Sequence, residues 1–266
     1  MGRVIAVANQ KGGVGKTTTA VNVSAALALH GYRTLLVDMD PQSSATTGVG
    51  CRVPPGDPSI YEALVGSSDA ASVLRPSVVS ELDVLPATRD LVGADIELVS
   101  LPRREHRLFD AIGRLRGGYE FVLIDCPPSL SLLTINALRA ADGVLVPLQA
   151  EYYALEGLTG LLDTIGRVRE TLNPDLQLDG LLLTMFDRRN TLARQVEEEV
   201  RTHFGDRVLH TVVPRNVRLS ESPSHGLPVL LYDSTSRGAT AYKAVAGELV
   251  ARTGGAHGAA RTASAS

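Results

Sequence analysis

Apolar and polar positions recur along the chain with two different periods, one typical of buried strands and the other of helices. Continuous apolar runs such as residues 4–8 predict strands that are buried on both faces. Spacings of three and four residues, as between Val21, Ala25 and Ala28, predict helices that bury one face. Strands are predicted over 4–8, 34–37, 83–85, 121–124, 143–147, 178–185 and 208–213, and helices over 17–30, 104–115, 132–139, 153–172, 192–204 and 235–252.

The order of these elements predicts the fold class. Strands that alternate with helices form a mostly parallel sheet with helices on both faces, so we expect a single α/β domain over residues 1–252. Residues 51–80 interrupt the alternation with several prolines and a Gly-Ser-Ser run, which predicts loops and short helices. The tail 253–266 is rich in Gly, Ala and Ser and has no apolar face, so we expect it to be disordered.

The composition excludes several classes of protein. Of 266 residues, 44% are hydrophobic and 21% charged, which is ordinary for a globular protein. No apolar run approaches the ~18 residues of a membrane span and no secretory signal precedes the first strand, so we expect a cytoplasmic protein with no membrane partner. Two distant cysteines, Cys51 and Cys126, disfavour zinc, iron–sulfur and disulfide frameworks. The net charge of -3 means that any nucleic-acid contact must come from a local patch.

Lysine is scarce in this chain. Lys and Arg together number 26, but only Lys11, Lys16 and Lys243 are lysines. Two of the three lie five residues apart near the N-terminus. Because the chain otherwise uses arginine, these two positions indicate a need for a compact ammonium group rather than a planar guanidinium.

Both lysines belong to the glycine-rich segment NQKGGVGKTT (9–18), which lies between the first predicted strand and the first helix. This context predicts a P-loop, in which backbone N–H groups and a helix N-terminus bind phosphate, and so makes the domain a P-loop NTPase. Lys16 is expected to contact the β- and γ-phosphates of ATP, and the Thr17 hydroxyl to bind Mg²⁺. The loop residues predicted to bind nucleotide are Lys11, Gly12, Gly13, Val14, Gly15, Lys16, Thr17 and Thr18.

The loop departs from the general pattern G-x-x-x-x-G-K-[ST]. Gln10 stands where the first glycine belongs, and an additional lysine, Lys11, follows it. Lys11 comes too early in the loop to contact the same phosphates as Lys16 from the same side. It either reaches a nucleotide on another subunit or is a solvated surface lysine.

Carboxylates follow two further apolar strands. Asp38 and Asp40 come after 34–37, and Asp125 comes after 121–124. Open α/β sheets bind ligands at the carboxyl ends of their strands, so these side chains are expected near the P-loop. Asp125 suits Mg²⁺ binding through a water, and either Asp38 or Asp40 is expected to orient the attacking water or complete the metal shell. The predicted metal site therefore comprises Thr17, Asp40 and Asp125.

Three segments together resemble a known family: KGGVGKTT (11–18), LLVDMDPQ (35–42) and FVLIDCPPSL (121–130). They look like the deviant Walker A ATPases, and the chain most closely resembles the ParA/Soj partition ATPases. The C-terminal half is similar as well, in LLLTMFDRRN (181–190), VVPRNVRLSESPSHGLPV (212–229) and YDSTSRGATAY (232–242). The resemblance runs from about residue 3 to residue 252.

This resemblance implies a cycle driven by ATP and Mg²⁺. ATP binding makes a sandwich homodimer in which Lys11 of each subunit contacts the phosphates of the other and Gly12 lies at the interface. The dimer binds double-stranded DNA without sequence preference, which places it on the nucleoid, and a ParB-type centromere-binding protein stimulates hydrolysis and release. Asp40 matches the position tied to hydrolysis. The catalytic residues implied are Lys11, Lys16, Asp38 and Asp40, and the residues flanking adenine are Met185 and Pro214.

Arg189 and Arg218 match family positions implicated in DNA binding, with Arg188 and Arg215 as their neighbours. Residues 187–218 hold seven Arg against five Asp or Glu, a net charge of +2 that does not make a basic stripe. From the residues alone, solvated surface arginines explain this segment equally well. The resemblance implies salt-dependent contacts with DNA phosphates.

Three alternatives use a similar scaffold. A MinD-like membrane-cycling ATPase needs an amphipathic C-terminal anchor, and the tail 253–266 has none. A reductase needs cluster cysteines at the dimer interface, and a ligase needs a substrate pocket that the sequence does not show. A ParA-like ATPase that positions a protein cargo would have the same ATPase core, so it stays open.

Overall fold

The computed structural model describes residues 2–151 and 154–254. The expected disordered tail, 253–266, lies outside the described residues except for Thr253 and Gly254. Those two residues form the end of the last helix and its cap, where Gly254 has a left-handed φ of +67°. Gly254 is therefore a typical C-terminal helix cap.

The strands of the described residues form one sheet in the order β3-β4-β2-β5-β1-β6-β7. Every neighbouring pair is parallel except β3, which runs antiparallel to β4 at the edge. The predicted α/β class with a mostly parallel sheet is confirmed. The strands are β1 (Arg3–Val7), β2 (Thr34–Asp38), β3 (Arg75–Pro76), β4 (Leu82–Leu85), β5 (Phe121–Asp125), β6 (Gly143–Gln149) and β7 (Gln177–Thr184).

Helices connect the strands and cover the sheet. They are α1 (Lys16–Leu29), α2 (Ser44–Gly48), α3 (Ile60–Val65), α4 (Ala70–Val73), α5 (Leu91–Glu97), α6 (Arg107–Gly113), α7 (Leu132–Ala140), α8 (Ala154–Thr171), α9 (Thr191–Phe204), α10 (Val217–Glu221), α11 (Val229–Tyr232) and α12 (Arg237–Thr253). Within the described residues, no helix is both long enough and apolar enough to cross a membrane.

Successive residues of each central strand point into two different cores. In β1, Val4 and Ala6 belong to one apolar cluster, while Ile5 and Val7 belong to the other. Helices α1 and α12 supply the second cluster, and α3, α5, α6, α7, α8 and α9 supply residues of the first. This arrangement is why the strands read as continuous apolar runs, since both faces of the sheet are buried.

The predicted strand over 208–213 is wrong. Among the described residues, this segment forms an isolated bridge between Leu181 and Val208, and a second bridge joins Phe186 to Pro214 just beyond it. The N–H groups of Leu209 and Val213 also donate to the β7 carbonyls of Leu181 and Leu183, at 2.9 and 2.8 Å, but no continuous strand forms. Between the bridges, the N–H groups of His210 and Thr211 donate to the Glu248 carboxylate of α12 instead of to β7. The Glu248 carboxylate therefore binds two successive N–H groups of this segment, which interrupts the hydrogen bonding that a regular strand would make with β7.

Other boundaries also differ from the sequence prediction. The helix predicted over 104–115 begins as a 3₁₀ turn at Arg104–His106 and becomes α-helical over Arg107–Gly113. Residues 51–80 hold α3, α4 and the two-residue strand β3, so the expected short helices are present and the edge strand was not predicted.

Candidate active site

The loop between β1 and α1 has the geometry of an anion-binding turn. Gly13 and Gly15 have φ values of +73° and +87°, which residues with a side chain rarely adopt, and α1 begins at Lys16 directly after Gly15. Among the described residues, no acceptor lies in hydrogen-bonding geometry to the N–H groups of Gly13, Gly15, Lys16 and Thr17. Unpaired N–H groups at a helix N-terminus fit phosphate oxygens.

Two buried side chains anchor this loop from the sheet. The Asn9 amide donates to the carbonyl of Pro147 in β6 at 2.7 Å, and its oxygen accepts the N–H of Lys11 at 3.0 Å. On the other side, the Thr184 hydroxyl at the end of β7 donates to the Val14 carbonyl at 2.8 Å. The loop is therefore held in shape before any ligand binds, which lowers the entropy cost of binding.

Lys16 is buried at the start of α1. Its Nζ donates to the carbonyl of Lys11 at 3.0 Å, within the loop itself. Burial lowers the pKa of this ammonium, and the nearby acidic side chains, Asp125 first and Asp40 among them, oppose that shift. The group is a poorly solvated cation beside the loop, as a phosphate-binding lysine requires.

Asp125 ends β5 and is completely buried. Neither of its carboxylate oxygens has a hydrogen-bond partner among the described residues. Burial, and the negative charge of Asp38 opposite it in the sheet, raise the pKa of Asp125 well above its usual value. The Thr17 hydroxyl and the Lys16 ammonium act in the opposite direction, although neither makes a hydrogen bond of ordinary geometry to the carboxylate.

These buried, unpaired oxygens fit a magnesium site. Mg²⁺ in nucleotide sites is held by one or two protein oxygens, with phosphates and waters completing the octahedron. No cluster of three or more His, Cys, Asp or Glu that could hold a metal ion occurs in the described part of the chain. Thr17 and Asp125 are the residues that would hold the ion.

The structure separates Asp38 from Asp40. Asp38 is buried and accepts three hydrogen bonds, from the N–H and hydroxyl of Thr46 at 2.8 and 2.7 Å and from the N–H of Asp40 at 3.1 Å. Burial raises the pKa of Asp38 to about 6, against the effect of these hydrogen bonds. Asp40 is partly exposed and accepts only the N–H of Gln42, at 2.9 Å. Asp40 is thus the carboxylate that a water or ligand can reach.

Beside the P-loop lies a cavity of about 280 Å³, close to the ~300 Å³ at which small-molecule sites begin. Met185 and Pro214 both line it, and Met185 has a left-handed φ of +50°. Non-glycine residues in that conformation concentrate at binding sites. The cavity is lined by Gly15, Thr18, Thr184, Met185, Val213, Pro214, Arg215, Asn216, Leu219, Ser220, Pro223 and Tyr242.

The additional lysine does not lie over its own P-loop. Lys11 Nζ is 2.8 Å from the Glu151 carboxylate, which follows β6, and both side chains are substantially exposed. Gly12 is exposed, and a Cβ added there would meet nothing within 4 Å. Both residues therefore lie on an open surface next to the phosphate-binding loop.

Three of the four arginines, Arg188, Arg189 and Arg215, come from two loops that the structure brings together, and Arg218 lies on α10 directly after the second loop. The bridge between Phe186 and Pro214 joins the segment carrying Arg188 and Arg189 to the segment carrying Arg215 and Arg218. The Arg215 N–H donates to the Phe186 carbonyl at 3.2 Å, which strengthens the junction. All four side chains are exposed.

The sequence did not identify several residues that shape the site. Asn9 and Thr184 are polar residues at the carboxyl ends of apolar strands, the same signal that identified Asp38 and Asp125. Thr46 and Glu151 gave no signal, because their partners lie 8 and 140 residues away in the chain.

Comparisons with known proteins agree with this geometry. A family model described as "AAA domain" matches residues 2–178. The chain is 53% identical over 251 residues to the sporulation initiation inhibitor protein Soj of Bacillus subtilis (strain 168), covering 94% of this chain and 99% of that protein. It is 54% identical over 252 residues to the chromosome partitioning protein ParA of Myxococcus xanthus (strain DK1622), covering 95% and 89% respectively.

A solved structure is also similar over nearly the whole chain. It is described as cobyrinic acid a,c-diamide synthase from Mycobacterium smegmatis with bound ADP and magnesium. Its sequence is 40% identical, it covers 96% of each chain, and its TM-score is 0.83. The similarity of the two structures therefore includes the P-loop and the strands and helices that surround it.

Proposed function

This chain belongs to the ParA/Soj family of chromosome-partitioning ATPases, and from that premise we propose that it couples ATP hydrolysis to the segregation of DNA. It is an ATPase with a P-loop domain. One observation best supports the proposal. At the carboxyl ends of the central strands, a preformed phosphate-binding loop lies beside the buried Lys16 and the buried Asp125, whose carboxylate has no hydrogen-bond partner among the described residues. We propose that it acts in the cytoplasm, on the nucleoid.

The phosphates of ATP bind to the unpaired N–H groups of the P-loop and to Lys16, and the base occupies the cavity lined by Met185 and Pro214. Thr17 and Asp125 would hold Mg²⁺, which would supply positive charge to offset the negative charge that develops on the phosphates. Asp40, the accessible carboxylate, orients the attacking water.

Dimerisation uses the exposed edge of the loop. Lys11 exchanges its ion pair with Glu151 for the phosphates bound by the partner subunit, and the open space at Gly12 allows two loops to approach closely. Because Lys11 reaches phosphate only in the dimer, ATP favours the dimeric state.

The dimer then binds double-stranded DNA through exposed arginines of the two joined loops, Arg188, Arg189 and Arg215, together with Arg218. Contacts to phosphate carry no sequence information and weaken steeply with salt. A ParB-type protein stimulates hydrolysis and so returns the chain to the monomer.

The Asp40→Ala variant tests the proposal. With ATP and Mg²⁺ it should elute as a stable dimer, because hydrolysis is blocked while binding is kept, and this dimer should bind DNA of any sequence. Arg189→Ala in the same background should weaken DNA binding at all sequences and flatten its salt dependence. Arg103→Ala removes an equally exposed arginine far from both loops and serves as the matched control.

Two results would contradict the proposal. A monomeric Asp40→Ala protein in ATP and Mg²⁺ would show that Asp40 does not act in hydrolysis. Equal DNA affinity of the Arg189→Ala and Arg103→Ala proteins would show that the two joined loops are not the DNA-binding face.

The similar Mycobacterium smegmatis structure, by its description, favours a second candidate, an ATP-dependent amide synthesis on a corrin substrate. The Soj and ParA relatives are more similar, at 53% and 54% identity against 40%. Formation of the a,c-diamide from cobyrinic acid, ATP and a nitrogen donor by the purified protein would decide for this alternative. ATPase activity that responds to DNA and not to corrin would decide against it.

A further inference from the structure

One of the four proposed DNA-binding arginines differs from the others. Arg218 Nη1 donates to the Glu221 carboxylate at 2.8 Å, and its Nε lies 3.2 Å from the Asp233 carboxylate. Within residues 2–151 and 154–254, Arg188, Arg189 and Arg215 form no ion pair. Arg218 is the member of the set whose charge is already balanced.

The two carboxylates belong to a small ordered cluster. The Tyr232 hydroxyl donates to the same Glu221 oxygen at 3.3 Å, and the Tyr232 ring stacks on His225 with centroids 4.9 Å apart. The hydrogen bond from Arg218 holds the pKa of Glu221 below its usual value, so this carboxylate stays ionised at neutral pH. Glu221 is thus fixed in place by contacts from both α10 and α11.

Two carboxylates facing one guanidinium leave a local charge of about -1. A DNA phosphate that approaches Arg218 is repelled by Glu221 and Asp233 unless they move away. The Arg189 guanidinium forms no ion pair with a carboxylate among the described residues, although the Asp187 carboxylate accepts its backbone N–H at 3.0 Å. The pairing therefore predicts that the arginines of this face do not contribute equally to DNA binding.

We propose that Glu221 and Asp233 form a carboxylate clamp that holds Arg218 away from DNA, and that Arg218 binds a phosphate only by exchanging these carboxylates for it. The inference rests on the proposed binding of DNA at this face. Glu221 and Asp233 act through Arg218 and are positioning residues of the DNA-binding site.

Arg218 and Glu221 lie on α10, which also borders the proposed nucleotide cavity, whereas Asp233 directly follows α11. Leu219 and Ser220 of α10 line the cavity, between Arg218 and Glu221 in the sequence. Leu219 is packed tightly against α12, since a Cβ at Gly238 would come within 2.7 Å of its Cγ. This helix of five residues therefore carries cavity-lining residues together with Arg218 and Glu221.

Glu221→Gln and Asp233→Asn test the clamp in the ATP-bound Asp40→Ala background. Each substitution removes one of the two negative charges that face Arg218 and keeps the size of the substituted side chain. DNA affinity measured by fluorescence anisotropy should rise about two- to fivefold, the range expected for releasing an exposed ion pair. The salt dependence should steepen by about one phosphate contact per protomer. Asp110→Asn, which breaks the distant surface pair with Arg103, is the matched control and should leave both unchanged.

Repeating Glu221→Gln in an Arg218→Ala protein shows whether its effect passes through Arg218. The gain in affinity should disappear there, because the arginine that the clamp restrains is gone. A gain that persists without Arg218, or that Asp110→Asn reproduces, would mean a general charge effect and overturn the clamp. So would unchanged affinity in both clamp variants when the parent binds DNA, whereas a parent that does not bind DNA at all would contradict the proposed function instead. Thermal melting and ATP affinity confirm that each variant is folded.

Discussion

Replacing Asp125 by Asn should stabilise the nucleotide-free protein while removing its response to Mg²⁺. The carboxyl is completely buried, and neither oxygen has a hydrogen-bond partner among the described residues. Burial and the charge of Asp38 raise its pKa well above the usual value, so the folded state disfavours the ionised form. An amide of the same shape removes that charge.

The structure sets the size of the effect. A buried polar group without a partner costs about 1–3 kcal/mol, more when it is charged, and an amide still needs partners of its own. We therefore expect a net gain of ~1–2 kcal/mol in the free energy of unfolding. For a domain of this size, ~1 kcal/mol corresponds to a rise in Tm of about 2–4 °C.

Asp38→Asn is the matched control. Asp38 is just as buried and lies opposite Asp125 in the sheet, but its two oxygens accept three hydrogen bonds. An Asn nitrogen would face the N–H of either Asp40 or Thr46, which loses a bond and offsets the gain from removing the charge. The Tm of Asp38→Asn should be unchanged or lower.

The pH dependence of the free energy of unfolding should also report the raised pKa of Asp125. Because the pKa of Asp125 is higher in the folded than in the unfolded chain, its contribution to stability is fully present below the unfolded pKa. That contribution is lost as the pH rises through the folded pKa. The wild-type protein should therefore lose stability from this group between acid and neutral pH, and the Asp125→Asn protein should lose less.

Differential scanning fluorimetry of nucleotide-free protein between pH 4.5 and pH 8 measures these differences, and adding ATP with and without Mg²⁺ measures the ligand response. Wild type should gain Tm from Mg²⁺ beyond the gain from ATP alone, and Asp125→Asn should not. A fall in Tm for Asp125→Asn as large as that for Asp38→Asn would refute the reasoning, because it would show that the Asp125 carboxylate is compensated.

Two further predictions concern the P-loop. Lys16→Ala should abolish ATP binding measured by isothermal titration calorimetry, and a normal ATP affinity of this variant would overturn the assignment of Lys16 to the phosphates. Lys11→Ala should keep ATP binding by the monomer and lose ATP-dependent dimerisation measured by light scattering. Thr184→Val leaves the Val14 carbonyl unpaired, so it should lower the free energy of unfolding by about 1–3 kcal/mol and weaken ATP binding, measured by denaturant melts and calorimetry. Thr171→Val, on an exposed helical turn, should change neither, and equal behaviour of the two valine variants would speak against an anchoring role.

Much of the fold is readable from the sequence because both faces of its sheet are buried. Continuous apolar runs predicted β1, β2, β5 and β6. Because parallel strands all end on the same side of the sheet, the residues that follow these strands lie close together at their carboxyl ends. That rule predicted Asp38 and Asp125 near the P-loop, and the structure pairs them directly across β2 and β5. The P-loop could also be predicted from its glycines, because Gly13 and Gly15 adopt the left-handed conformations that a phosphate-binding loop needs.

The features that escaped prediction depend on single side chains that are far apart in the chain. Residues 208–213 have the apolar pattern of a strand, but the Glu248 carboxylate occupies two of their N–H groups. Glu248 lies 38 residues beyond His210 in the sequence, and no local pattern connects them. The pair between Lys11 and Glu151, 140 residues apart, escaped for the same reason.

These pairs give the nucleotide-free chain a common property. Lys16 is bonded to the Lys11 carbonyl, Lys11 to Glu151, and Arg218 to Glu221, so each of these basic groups already has an acceptor within the chain. Phosphate binding at each of them is an exchange of one acceptor for another rather than a new contact. An exchange yields less net free energy than a contact to an unpaired cation, because the internal bond is lost. A protein that must bind and release its ligands in every cycle benefits from such weak net binding. The Asp125 carboxylate, by contrast, has no hydrogen-bond partner among the described residues, so we expect a cation bound there to contribute more to stability than phosphate does at these basic groups.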